Sequence, residues 1–182
     1  MAWKFTSSLK AHSMSSHDPG QPSVPKEQEK HFSYMQKAVE LSEQALLSGR
    51  GGPFGALIVR DGQIIGSSGN CVFQNTDPTS HAEIMAIRDA CSRIQSSDLS
   101  GSVIYSSAEP CPMCMAAIYW AKIEAVYFSN TERDSLDYGF IDKVILAELR
   151  KAPADRAIQS VRIIHPDAIH VFRKASEMGV GK

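Results

Sequence analysis

The chain has 182 residues, enough for one domain with a sizeable core and some tail. With 19 Lys and Arg against 20 Asp and Glu its formal net charge is -1, so it lacks the basic excess of proteins that hold a long phosphate backbone, and a small substrate is favoured over nucleic acid. No apolar run is long enough to span a bilayer, and the four cysteines, two of them in a C-x-x-C pair, read as groups of a reducing, cytoplasmic compartment rather than as a disulfide framework.

Residues 1–30 are rich in Ser, His, Pro, Lys and Gln without an apolar period, and are expected to form a disordered extension ahead of one domain over residues 31–182. Lys4 and Lys10 stand in an acid-free start, as in an organellar presequence, but the Arg-rich amphipathic character of one is missing. From Phe32, the residues Phe32, Met35, Val39 and Leu46, widened by Ala38 and Ala45, keep helical spacing until Gly49 and Gly51-Gly52 end it. Gly55–Arg60 and Gln63–Gly66 read as two strands joined by an Asp61-Gly62 hairpin turn. Asp77-Pro78-Thr79-Ser80 is turn and N-cap material, and Ala82, Met85, Ala86 and Ala90 then carry helical spacing, which puts His81 and Glu83 in a first helical turn. Val103–Tyr105 is a strand. Pro112 stands where a first turn accepts proline most easily, so Cys111 and Cys114 open a third helix that runs through Ala116, Ile118 and Trp120. Ala125–Phe128 and Val161–Ile164 supply further strands, with helices near Asp142 to Arg150 and Ala168 to Glu177. Strands alternating with helices after a hairpin imply an α/β fold, a three-layer α/β/α sandwich around a central mixed sheet of five strands.

The chemistry is concentrated in His81-Ala82-Glu83 and Pro110-Cys111-Pro112-Met113-Cys114. His81, Cys111 and Cys114 are three zinc-type ligands; a fourth ligand stands at no obvious spacing, so the expected zinc, one per subunit, keeps an open position for a water or hydroxide. Helix N-termini favour the thiolate forms of both cysteines. Glu83 can face that water without ligating the metal, and the H-x-E and P-C-x-x-C pattern is the signature of zinc nucleobase deaminases, in which the Glu is the acid/base. The plain alternative is a structural zinc interaction module or a redox pair, but a closed zinc site needs another ligand and a redox pair needs neither His81 nor Glu83.

From about Phe32 to Ile164 the chain resembles the cytidine deaminase superfamily. Gly51-Gly-Pro-Phe-Gly-Ala56, Asn70, Asp77-Pro78-Thr79, His81-Ala-Glu-Ile-Met-Ala-Ile-Arg88 and Glu109-Pro-Cys-Pro-Met-Cys114 stand in the family's order. Within it, Ala117-Ile-Tyr-Trp120, Tyr138-Gly-Phe-Ile-Asp142 and Lys151-Ala-Pro-Ala-Asp-Arg156 look most like the bacterial-type guanine deaminases. The resemblance implies conversion of guanine to xanthine and ammonia in a homodimer with exchanged C-terminal segments. It implies that Phe54 stacks on the purine, Asn70 hydrogen-bonds its edge and Asp142 is a second carboxylate of the site. Core packing for Phe54, a turn role for Asn70 and an N-cap for Asp142 stand beside those roles. Glu109 is read as orienting the loop or the ligands, or as a structural partner. The chain departs from that branch at its end, Met178-Gly-Val-Gly-Lys182, where an aromatic residue is expected and Phe172 is the last one. Guanosine or another nucleoside, cytosine and a tRNA adenosine are the rival substrates.

Overall fold

The computed structural model describes residues 26–140 and 143–180. Asp61 and Gly62 both have positive φ, 51° and 75°, as an Asp-Gly hairpin turn requires. They join β1 (Gly55–Arg60) to β2 (Gln63–Gly69) as an antiparallel pair. On its other side β1 pairs antiparallel with β3 (Ser102–Ala108), which pairs parallel with β4 (Ala125–Asn130). The sheet is therefore mixed, in the order β2-β1-β3-β4.

Alternate residues of the central strands feed two cores, which is why β1 reads as a continuous apolar run. Leu57, Val59 and Tyr105 point to one face and are covered by Tyr34 and Ala38 of α1 (Lys26–Leu47). Ala56, Ile58 and Ile104 point to the other and meet Ala82, Ala86 and Ala90 of α3 (Ala82–Ile94) and Ile118 of α4 (Pro112–Trp120). These three layers agree with the expected α/β/α sandwich.

The structure corrects three expectations. First, the sheet has four strands among the described residues, not five: the run Val161–Ile164 forms no strand, and Val161, Ile163 and Ile164 are 79%, 87% and 78% exposed. β-branched composition alone cannot make a strand without a sheet edge to pair with, and this segment pairs with none among the described residues. Second, α1 begins at Lys26 rather than near Phe32, because a polar helical turn carries no apolar period. Its buried face is Tyr34, Ala38 and Ala45, while Phe32, Val39 and Leu46 remain exposed. Third, two short helices were not foreseen, α2 (Val72–Asn75) and α5 (Glu132–Asp137). α6 (Lys143–Arg150) and α7 (Ala168–Glu177) lie where the sequence places them, but none of their described side chains is buried. The disordered reading of the N-terminal extension falls, for residues 1–25, outside the described residues.

Candidate active site

Two helices start at the same place. His81 is the N-cap of α3 and Cys111 the N-cap of α4, with Pro112 in the first turn behind it. Ser, Thr, Asp or Asn usually holds such a position; here the caps are potential metal ligands. The polar turn before α3 does not cap the helix but braces the chain that leads to it. Asp77 Oδ1 accepts from the Thr79 amide at 2.8 Å and from Thr79 Oγ1 at 2.7 Å, and Asp77 Oδ2 accepts from the hydroxyl of buried Ser80 at 2.8 Å. Asn75 Nδ2 donates to the same hydroxyl at 3.1 Å. These bonds hold the Asp77 carboxyl at about 2, down from 3.8, with the Thr79 hydroxyl as the leading cause.

His81 Nδ1 lies 3.7 Å from Cys111 Sγ and 3.6 Å from Cys114 Sγ. The three ligand atoms fall within 4.8 Å of one another. Zinc bonds of about 2.3 Å to sulfur and about 2.0–2.1 Å to nitrogen, at a tetrahedral angle, separate the two donors by about 3.6 Å. The spacing and the soft donor set thus fit a tetrahedral zinc ion bound by three side chains. The Cys111 thiol is pulled down to about 4, first by the hydrogen bond from Cys114 and then by His81 beside it. That same bond, burial and the charge of Glu83 push the Cys114 thiol up. A divalent cation held by these side chains would relieve this competition for one proton.

Glu83 follows His81 in the first turn of α3 and is buried. Desolvation pushes its carboxyl above the ordinary carboxylate range, and the negative Cys111 adds to the rise. A carboxyl so placed takes up a proton more readily than an exposed one, which suits an acid/base.

Above these groups lies a cavity of about 210 Å³ lined by Phe54, Asn70, His81, Glu83, Cys111 and Phe140, with Glu109 and Ser135 at its side. Of the residues expected in the site, His81, Glu83, Cys111, Cys114, Phe54 and Asn70 are brought together. Asp142 lies outside the described residues. Phe54 is half-buried, between its two expected roles: its ring lines the cavity and meets Phe140 edge to face at 5.3 Å and 82°. Asn70 is a buried lining residue whose Oδ1 accepts from the Gly52 amide at 3.2 Å and the Val72 amide at 3.1 Å. Glu109 has a structural bond, its Oε2 accepting from the Glu132 amide at 2.9 Å at the start of α5, and its residue also borders the cavity. Phe140 and Ser135 were not singled out from the sequence. Phe140 stands in the Tyr138–Asp142 motif, which was a signal for it; Ser135 has none.

Residues 28–130 match the family described as the cytidine and deoxycytidylate deaminase zinc-binding region. Guanine deaminase of Bacillus subtilis (strain 168) is 39% identical over 143 residues, 79% of this chain and 92% of that protein. An X-ray structure of guanine deaminase from Bacillus subtilis superposes with a TM-score of 0.78 at 38% identity, covering 81% of this chain and 94% of that one. The tRNA-specific adenosine deaminase of Aquifex aeolicus is 43% identical over a shorter stretch, 44% of this chain and 54% of its own length. A chain solved in complex with 2,6-diaminopurine superposes at a TM-score of 0.58 with 28% identity, over 62% of each.

Proposed function

The chain belongs to the cytidine and deoxycytidylate deaminase family, and from that premise we propose that it hydrolyses the exocyclic amine of guanine, giving xanthine and ammonia. The observation that carries this reading is the cluster of His81, Cys111 and Cys114 with Glu83 buried next to it, at the floor of a cavity walled by Phe54 and Asn70. His81 Nδ1 and the Cys111 and Cys114 thiolates would hold one zinc per subunit. Zinc bound there would supply Lewis-acid activation of water. Glu83 takes one proton from the attacking water and passes it to the ring nitrogen, then takes the second from the newly added hydroxyl and delivers it to the amine as the C–N bond breaks, so that guanine and water are consumed and xanthine and ammonia leave. Phe54 stacks on the purine and Asn70 hydrogen-bonds its edge; Asp142 is assigned as a further carboxylate of the site.

The small-molecule reading is preferred to a tRNA substrate because the net charge is -1 and the match to guanine deaminase extends over most of both chains, whereas the match to the tRNA enzyme covers about half of it. We assign a homodimer with exchanged C-terminal segments. The support is that α6, α7 and residues 161–164 leave apolar side chains in solvent, and β4 has no strand at its outer edge among the described residues. None of the four cysteines is in a disulfide, which suits a reducing compartment, and we place the protein in the cytoplasm; no described helix is long and apolar enough to cross a membrane.

Zinc-loaded protein, assayed for ammonia release with guanine, guanosine, adenine, cytosine, cytidine and a tRNA anticodon stem, should act on guanine in preference to the others. Turnover of another compound with guanine and guanosine untouched overturns the assignment.

A further inference from the structure

We infer that the Gly51-Gly52 loop is a specificity device: it locks the Asn70 amide so that only its N–H donors face the cavity, and thereby selects rings with a hydrogen-bond acceptor at that edge. The inference rests on reading the cavity as the place where the substrate ring binds. Oxygen and nitrogen of an amide have the same shape, so what fixes them is the partners. The partners of the Asn70 oxygen are two backbone amides, Gly52 at 3.2 Å and Val72 at 3.1 Å. An N–H can donate only to the oxygen, so a flipped amide would set donors against donors. Nδ2 is left without a partner among the described residues, on a residue that lines the cavity beside Phe54 and Glu83. The backbone adds a second constraint, since the Asn70 amide donates to the Phe54 carbonyl at 2.8 Å and ties the two lining residues together.

Gly51 is the positioning residue of this device. It is buried, and a Cβ there would collide with Asn70 Oδ1 and lie 2.7 Å from the Asn70 carbonyl oxygen. Any side chain at 51 must therefore displace the amide from its two N–H partners. A buried NH2 facing a ring that offers C–H in place of an acceptor is left unsatisfied, and a site built around a hydrogen bond rejects such an analogue far more strongly than an apolar pocket rejects a small change in shape.

The test measures binding of guanine, 7-deazaguanine and 3-deazaguanine to zinc-loaded Glu83→Gln protein, with Asn70→Asp and Gly51→Ala added in turn. Asn70→Asp keeps an acceptor for the Gly52 and Val72 amides and exchanges the cavity-facing donor for an acceptor, so its melting temperature and zinc content should stay close to those of its parent. The expected result is that one deaza ring binds about tenfold more weakly than guanine, and that both added changes reduce this preference to near one. Equal binding of all three rings, or of none, overturns the inference. So does a preference that survives Asn70→Asp, or one that survives Gly51→Ala. Ammonia release by the wild-type protein is read separately: its absence with the ring preference intact sinks the deaminase reading and leaves the lock standing.

Discussion

Glu83 and His81 are two positions apart at the start of α3, and burial with the neighbouring Cys111 charge raises the Glu83 carboxyl, which suits the acid/base role proposed for it. Glu83→Gln preserves the shape and size of the side chain and removes the carboxyl proposed to move protons. It should retain zinc and melt near the wild type, while kcat falls by about 10²–10⁴; metal analysis beside steady-state kinetics checks both halves. Cys111→Ala should lose zinc itself, because two remaining ligands do not make a tetrahedral site. A Glu83→Gln protein devoid of metal, or a Cys111→Ala protein that keeps it, contradicts this division of roles.

Among the elements, the turn that leads into α3 has the clearest dependence on acidity. Asp77 titrates near 2 in the folded chain and near 3.8 without its hydrogen bonds. The folded value is depressed, so the stabilisation is present above 3.8 and disappears as pH falls through about 2. Between pH 4 and 2, Asp77→Asn should flatten the fall of the melting temperature relative to wild type. An identical slope in both proteins shows that the turn does not contribute. The same turn illustrates what a sequence can disclose. Its residues announce a cap, but the hydrogen bonds close on the turn itself and His81 takes the N-cap. Helix α1 was recognisable as a helix and its inward face in part: Ala38 and Ala45 of the expected stripe are buried and Met35 packs on the core, while Tyr34 lay outside it and the larger Phe32 and Val39 turn outward. Spacing favours large apolar residues and is blind to that choice. Thr131 and Asp134 form a capping box at the start of α5, a legible signal that the apolar pattern alone passes over. The clustering of His81, Cys111 and Cys114 beside Glu83 could be read directly because it resides in residue type and spacing; the cavity wall formed by Phe140 and Ser135 depends on how a distant part of the chain folds back.

For the whole molecule, the exposed apolar residues near the C-terminus are the ones on which the proposed dimer rests. Val161, Ile163, Ile164, Val171 and Phe172 are all exposed in the single chain, as side chains that the proposed dimer would cover. Light scattering should report a dimer, and Val161→Asp with Ile163→Asp should shift it toward monomer; a wild-type monomer across the working concentration range contradicts the assignment. At this scale the meeting of two helix starts at His81 and Cys111 also acquires a thermodynamic meaning. Metal that binds the folded chain and not the unfolded one adds stability in proportion to the logarithm of its free concentration, about 2.7 kcal/mol when that concentration is about a hundred times Kd. In zinc-buffered solutions the melting temperature should climb steadily with free zinc, and a flat response speaks against binding there. The same ion that equips the site for chemistry would then set the lifetime of the folded chain, so that scarcity of zinc thins out the enzyme as well as idling it.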